Sequence, residues 1–332
     1  MSAGFELLHP PVLSRAAALR DEPLRTDTAR QLASWAAARI VVVDDKGRTP
    51  VSWDSAPEAV FREGDAAAWD AAAGSGVTLR TRPSSGDAPP EGAVLLGEAE
   101  GVAYWGLRGQ PDLVAGDDPA EWADLRAVGA ELDALGAGLL TTAVASLSWH
   151  DNARFCARDG SPTHTHNGGW VRRCEANQHE EYPRTDPAVI CLVHDGADRV
   201  LLARQPVWPP GRFSVLAGFV EAGESLEACV AREIAEEVGV EVTDIGYLGS
   251  QAWPFPRSLM VGFQAVADPA RPLVPADGEI EDAVWITRDE LREGLSRGDW
   301  AGTPDADDRK VVLLPGRVSI ARSMLEAWAA RG

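Results

Sequence analysis

Short apolar runs punctuated by polar loops fill the first part of the chain. Residues 40–43, 77–80, 94–97 and 102–107 read as β-strands, with the Asp44-Asp45-Lys46-Gly47 turn after the first of them. Residues 82–92, RPSSGDAPPEG, are rich in Pro, Ser and Gly and read as an exposed loop. The period then lengthens. Leu125, Val128, Leu132, Leu135, Leu139 and Leu140 recur at three- and four-residue steps, which predicts a helix over residues 119–149. Residues 150–185 form a polar connector holding Cys156, Cys174, His150, His164, His166 and His179. Beyond it, strands are expected at 188–193 and 199–203 around the Asp195-Gly196-Ala197-Asp198 turn, then at 213–216, 245–250, 260–267 and 283–286. A loop with Pro206, Pro209 and Pro210 precedes the strand at 213–216, and a last helix is expected over 318–329. The simplest packing of that order is an α/β fold, a mixed sheet with a helix on each face, behind a mostly β N-terminal domain closed by a helix.

Between those strands lies the stretch 218–240, GFVEAGESLEACVAREIAEEVGV. Ser225 suits an N-cap, Glu224 and Glu227 suit the positive end of the helix dipole, and Gly239 suits a left-handed C-terminal cap. Val230, Ile234 and Val238 form a stripe able to anchor the helix to a core. Glu233 precedes Glu236 and Glu237 by three and four residues, so the three carboxylates share one side. Such a cluster repels itself unless a cation joins it, and magnesium, which takes oxygen ligands together with substrate phosphates, fits. A solvated acidic face has the same spacing.

Composition narrows the choice of partner. The 332 residues carry a formal charge of −20, which argues against a general nucleic-acid or anionic-membrane surface. A phosphate-bearing substrate must therefore meet local arginines or bound metal. Residues 1–11 lack a basic region followed by an apolar run, and the uncharged stretch 134–149 is too short to span a bilayer, so a cytoplasmic protein is expected. Four cysteines in a chain of this length do not make a disulfide framework. Cys191 and Cys229 sit in apolar surroundings and are expected to be buried.

The stretch 218–240 resembles the Nudix box, G-x5-E-x7-R-E-U-x-E-E-x-G-U with U aliphatic, at Gly218, Glu224, Arg232, Glu233, Ile234, Glu236, Glu237, Gly239 and Val240. Residues 250–258, SQAWPFPRS, resemble SQPWPFPQS, the mark of the NADH pyrophosphatase (NudC-type) branch, with Ala252 and Arg257 departing from it. Tyr182-Pro183, Asp186-Pro187-Ala188-Val189-Ile190 and Ser319-Ile320-Ala321-Arg322 are similar to other segments of that family, and Asp124-Leu125-Arg126 more loosely so. The resemblance implies a Nudix α/β/α sandwich over residues 186–332, an N-terminal domain over 1–150, a ribbon-like connector over 151–185 and a homodimer.

It also implies an activity: hydrolysis of the pyrophosphate of NADH or NAD to AMP and nicotinamide mononucleotide. Removal of an NAD cap from RNA and a non-catalytic nucleotide-binding module are the alternatives. Magnesium or manganese ions are expected on Glu233, Glu236, Glu237, Glu279 and the carbonyl of Ala217, with Glu233 or Glu279 as general base on a bound water. Gly218, Glu224, Arg232 and Gly239 are expected to be structural, Glu224 bracing the loop. The substrate is expected to meet Tyr182, Phe219, Gln251, Ala252, Trp253, Pro254, Phe255, Pro256, Arg257, Ser258 and Ala321. Core packing is the competing reading for Phe219 and Trp253, and Arg126 is either a surface group or a substrate contact. The family places two C-x2-C pairs in the connector. Here Cys156 is followed by Asp159 and Cys174 by Asn177, so one thiolate is missing from each pair and no zinc is expected.

Overall fold

A computed structural model describes residues 4–15, 17–53, 76–109, 121–298, 300 and 312–331. The chain folds as two compact units: Met1–Ser14 with Asp186–Trp253 and Ser258–Gly332, and Arg15–Thr185 with Pro254–Arg257.

The first unit is built on a six-stranded sheet in the order Val242–Trp253, Ser258–Ala267, Asp186–His194, Arg199–Arg204, Asp282–Thr287, with Leu216–Phe219 also paired to Asp186–His194. Asp186–His194 and Ser258–Ala267 run parallel, and the other pairs are antiparallel. Alternate residues of the central strand bury on opposite faces, which is why it reads as an unbroken apolar run. Ile190 and Leu192 pack with Ile320, Met324, Leu325 and Trp328 of the helix Ile320–Ala329 and with Leu291 of the helix Arg288–Ser296. Val189, Cys191 and Val193 pack with Cys229, Val230, Ile234 and Val238 of the helix Leu226–Val238. The result is an α/β/α sandwich.

Two strands differ from expectation. The one expected at 213–216 forms at Leu216–Phe219, because Ser214 joins Ala203 only through an isolated bridge while residues 216–219 ladder onto the central strand. The one expected at 245–250 runs over Val242–Trp253, so the start of SQAWPFPRS is ladder, with Gln251 opposite Met260 and Trp253 opposite Ser258, and Pro254–Arg257 is the turn. The helix Arg288–Ser296 went unpredicted, although Thr287 and Glu290 close a reciprocal capping box at its start.

Residues 4–14 lie on this unit, held by two buried amides. Gln264 accepts from the Phe5 N–H at 2.9 Å and donates to the Phe5 carbonyl at 3.1 Å, copying a strand pair. Gln251, 1% exposed, accepts from the Leu13 N–H at 3.2 Å and donates to the Val318 carbonyl at 3.0 Å.

The second unit has a four-stranded sheet (Thr81–Pro83, Arg39–Val43, Val102–Arg108, Val94–Ala99) and a three-stranded one (Val77–Leu79, Arg48–Trp53, Glu121–Asp124). Trp35 and Trp105 meet edge to face at 5.7 Å in its core. The helix expected over 119–149 begins later, at Ala134–Asn152; residues 119 and 120 lie outside the described residues. Asp124 and Asp133 each accept an N-cap hydrogen bond, so the leucine period is split between a single turn, Leu125–Val128, and the long helix. The connector forms a third small sheet, Thr163–His166, Val171–Cys174 and Glu180–Glu181. Among the described residues no helix is long and apolar enough to cross a membrane.

Candidate active site

The loop and helix of residues 218–240 are fixed by three local devices. Ser225 accepts from the Ala228 N–H at 3.1 Å at the helix start. Gly239, with φ +75°, ends it, and a Cβ there would come within 2.9 Å of Val274. Gly218 lies so close under the helix that a Cβ would stand 1.9 Å from the Glu233 carboxyl carbon. Only a glycine leaves room for that carboxylate.

Arg232 is the hub. Its guanidinium grips Glu224 with two hydrogen bonds of 2.8 and 2.9 Å, reaches Glu233 and Glu236 at 2.9 Å each, and donates to the Phe219 carbonyl at 3.1 Å. Glu224 also accepts from the Glu221 N–H at 3.1 Å, so the loop closes on itself. With Arg232 against it, Glu224 has its pKa lowered to about 2. The Cys229 thiol, fully buried, donates to the Phe219 carbonyl at 3.4 Å, a contact sequence reasoning did not foresee. Burial, then the Glu224 carboxylate, pushes that thiol up to about 12.

Glu237 faces the opposite problem. It is 3% exposed, and its Oε2 has no hydrogen-bond partner among the described residues. Burial first, then the charges of Glu233 and Glu279, raise its pKa to about 8; a hydrogen bond with the Ala217 backbone opposes the rise only partly. Glu233 is shifted upward as well, by burial and by Glu236 and Glu279, against the pull of Arg232. Glu279 arrives from a distant segment. Val274 and Ala276 donate to the carbonyls of Val238 and Glu237 at 2.9 Å each, and buried Ile280 anchors the turn that carries it. Carboxylates thus converge with one arginine among them and one oxygen left over, a donor set suited to a hard divalent cation.

The other expected site residues divide between the units. In the first, Phe219 ends its strand 60% exposed, Ala252, Trp253 and Ser258 are half-buried, and Ala321, in the first turn of the helix Ile320–Ala329, is 1% exposed. Gln251 is committed to the two backbone groups described above. In the second unit, the Arg126 guanidinium lies 4.0 Å over the Phe255 ring, a cation–π pair within one unit. Pro254 is buried, and Pro256 and Arg257 are exposed. Tyr182, 62% exposed, donates its hydroxyl to Glu180 at 2.8 Å.

A sheet covered by helices on both faces, with this carboxylate-bearing loop and helix, defines a Nudix hydrolase, and residues 184–306 match the NUDIX domain. Residues 151–182 match the NADH pyrophosphatase zinc ribbon domain. Over 328 residues the chain is 48% identical to the NAD-capped RNA hydrolase NudC of Mycobacterium tuberculosis, covering 98% of this chain and 97% of that one. It is also 42% identical over 201 residues to the mitochondrial NAD(P)H pyrophosphatase NUDT13 of Mus musculus, covering 60% of this chain and 56% of the relative. The chain belongs to the NADH pyrophosphatase (NudC-type) family of the Nudix hydrolases.

The ribbon match corrects one expectation. One thiol is missing from each pair, but the match to a zinc ribbon domain does not fit the expectation that Zn2+ is absent. Beside the two thiols stands a carboxylate: donor atoms of Cys156, Asp159 and Cys174 all lie within 4.8 Å of one another.

Proposed function

We propose that this protein hydrolyses the pyrophosphate bond of a nicotinamide dinucleotide, releasing nicotinamide mononucleotide from NAD(H) or from an NAD cap on RNA. The observation that carries the reading is Glu237, a carboxylate buried beside Glu233 and Glu279 with an oxygen left unpartnered. A protein that only bound nucleotides would have no reason to bear that electrostatic cost. Magnesium or manganese is the fitting cation, which Glu233, Glu236, Glu237, Glu279 and the Ala217 carbonyl would hold. When bound, such ions neutralise the diphosphate and acidify the attacking water.

The chain's own groups do the rest. Arg232 fixes the directions of Glu233 and Glu236, and Gly218 gives Glu233 its space. Glu233 or Glu279 takes the proton of the attacking water. In the first unit Phe219 and Trp253 offer flat faces on which a base can stack, with Ala252 and Ser258 beside Trp253 on the two paired strands and Ala321 in the helix packed on the sheet; in the second unit Tyr182 and Phe255 offer theirs, Pro254, Pro256 and Arg257 flank Phe255, and Arg126 holds its ring. A cytoplasmic homodimer is part of the proposal. The RNA-cap reading is supported by the 48% identity to a protein named for that activity; the overall charge of −20 favours the free dinucleotide.

The test is incubation of the pure protein with NADH, NAD, ADP-ribose and NAD-capped RNA, with and without magnesium or manganese. Release of nicotinamide mononucleotide only in the presence of a divalent ion is expected. No turnover of any of these substrates would overturn the enzyme reading, and an unchanged rate in Glu237→Gln would overturn the metal assignment.

A further inference from the structure

Arg204 ends the strand Arg199–Arg204 and is 9% exposed, in the unit that carries the glutamate cluster. A buried guanidinium is costly unless charge and hydrogen bonds meet it. One terminal nitrogen pairs with the Glu281 carboxylate, and the other donates to the Trp208 and Pro209 carbonyls at 2.8 and 3.3 Å. Its Nε is buried with no hydrogen-bond partner among the described residues. The side chain is committed instead to two neighbouring segments, the loop after its own strand and the turn that leads into the strand Asp282–Thr287.

That turn carries Glu279. The N–H groups of Glu279 and Ile280 donate to the Ala276 carbonyl at 3.2 and 3.0 Å, and Ala276 itself donates to the Glu237 carbonyl at 2.9 Å. These bonds tie one end of the turn to the glutamate helix. At the other end the Glu281 N–H donates to the Arg204 carbonyl at 2.8 Å, extending the pairing of the two strands, and the Glu281 side chain takes the Arg204 guanidinium. Glu279 stands between the two fastenings, two residues from the ion pair. Its side chain is exposed, so the backbone of the turn, not packing, sets where its carboxylate points.

We infer that Arg204 is a positioning residue for the glutamate centre. Through Glu281 it fixes the turn from which Glu279 reaches the cation, and through the Trp208 and Pro209 carbonyls it braces that turn against the loop 205–210. The inference rests on the proposed role of Glu279 in the metal centre. A guanidinium suits the task because its two terminal nitrogens act at once on different partners, which the single nitrogen of an ammonium does less well. Groups that orient a metal's ligands without touching the metal commonly matter about 10- to 100-fold in affinity or rate.

The experiment compares the full-length parent with Arg204→Met, Arg204→Lys, Glu281→Gln and Glu279→Gln, by NADH turnover against magnesium concentration and by amide hydrogen exchange in chelator. Arg204→Met should lower kcat about tenfold and raise the half-saturating magnesium concentration about tenfold, with the KM for NADH changed by less than about twofold. Glu281→Gln, made at a half-exposed side chain, should move both quantities the same way. Arg204→Lys, which keeps a cation for Glu281, should recover part of the loss, and Arg204→Met combined with Glu281→Gln should cost no more than the larger single effect. In chelator, the amides of residues 276–282 should exchange faster in Arg204→Met and Glu281→Gln, while those of the helix Leu226–Val238 keep the parent's rates. Unchanged kcat and magnesium dependence in these two variants, an Arg204→Lys as impaired as Arg204→Met, or faster exchange spread through the whole unit overturns the inference. If Glu279→Gln keeps the parent's rate, the metal-centre reading fails and the inference with it; if Glu279→Gln is inactive while Arg204→Met matches the parent, the inference alone fails.

Discussion

Replacing Glu237 by Gln separates stability from activity at one atom. The folded carboxyl keeps its proton up to about pH 8, whereas an ordinary glutamate loses it at 4.5. The folded state therefore binds more protons, and the stability held by this group is fully present below pH 4.5 and is lost as pH rises through 8. Each pH unit in that window costs about 1.4 kcal/mol, which comes to about 3 kcal/mol by pH 7. Gln is neutral throughout, matches the volume and can still pair with the Ala217 backbone. In chelator, Glu237→Gln should thus be more stable than the parent by about 3 kcal/mol at pH 7, on the order of 6–12 °C in melting temperature for a unit of this size. The gap should close toward pH 4.5 and also on adding magnesium, which stabilises only the parent. Thermal unfolding in chelator at pH 5 and pH 7, repeated with magnesium, measures it. A variant equal to or weaker than the parent at pH 7, or a gap independent of pH, refutes the argument.

Gly218→Ala should lower kcat by at least about 100-fold, since a Cβ 1.9 Å from the Glu233 carboxyl carbon must drive that group out of place; a loss under tenfold in steady-state assays would count against the placement. Arg232→Lys keeps the charge but cannot grip Glu224 with two parallel hydrogen bonds and still reach Glu233 and Glu236, so activity should fall by about tenfold or more and the melting temperature should drop. His150, 7% exposed, is held neutral down to about pH 4 against an ordinary 6.5, chiefly by burial. Its contribution is present above pH 6.5 and lost as pH falls through 4, about 2 kcal/mol by pH 5. Urea unfolding of His150→Gln should show a smaller loss between pH 7 and pH 5 than the parent, and an identical loss would refute the assignment.

What could be read from the sequence was what is local. Ser225, Arg232, the three glutamates and Gly239 interact across one helix and its loop, so their spacing in the chain already states their geometry. Gly218 meets Glu233 only because the loop folds beneath the helix, a relation carried by a motif and invisible to periodicity. Glu279 came from resemblance alone, since it is placed by hydrogen bonds from residues 274–276 to the helix end. Gln251 shows the limit more sharply. Its place in SQAWPFPRS suggests a substrate contact, yet its amide is engaged by Leu13 and Val318, partners 238 and 67 residues away. The early helix start failed for a physical reason too: the leucine period was real, but the aspartate caps at 124 and 133 outweighed it.

The two acid-bearing clusters differ in what balances their charge among the described residues. Around Glu237 the carboxylates repel, a buried oxygen goes unpaired, and Arg232 is already shared among Glu224, Glu233 and Glu236. On the proposed function a divalent cation there would relieve that repulsion, so its binding and the stability of the centre should be coupled. Around Asp159 the same negative charge is met by the N–H groups of Asn177 and Ser161. Chelation should accordingly soften the glutamate centre.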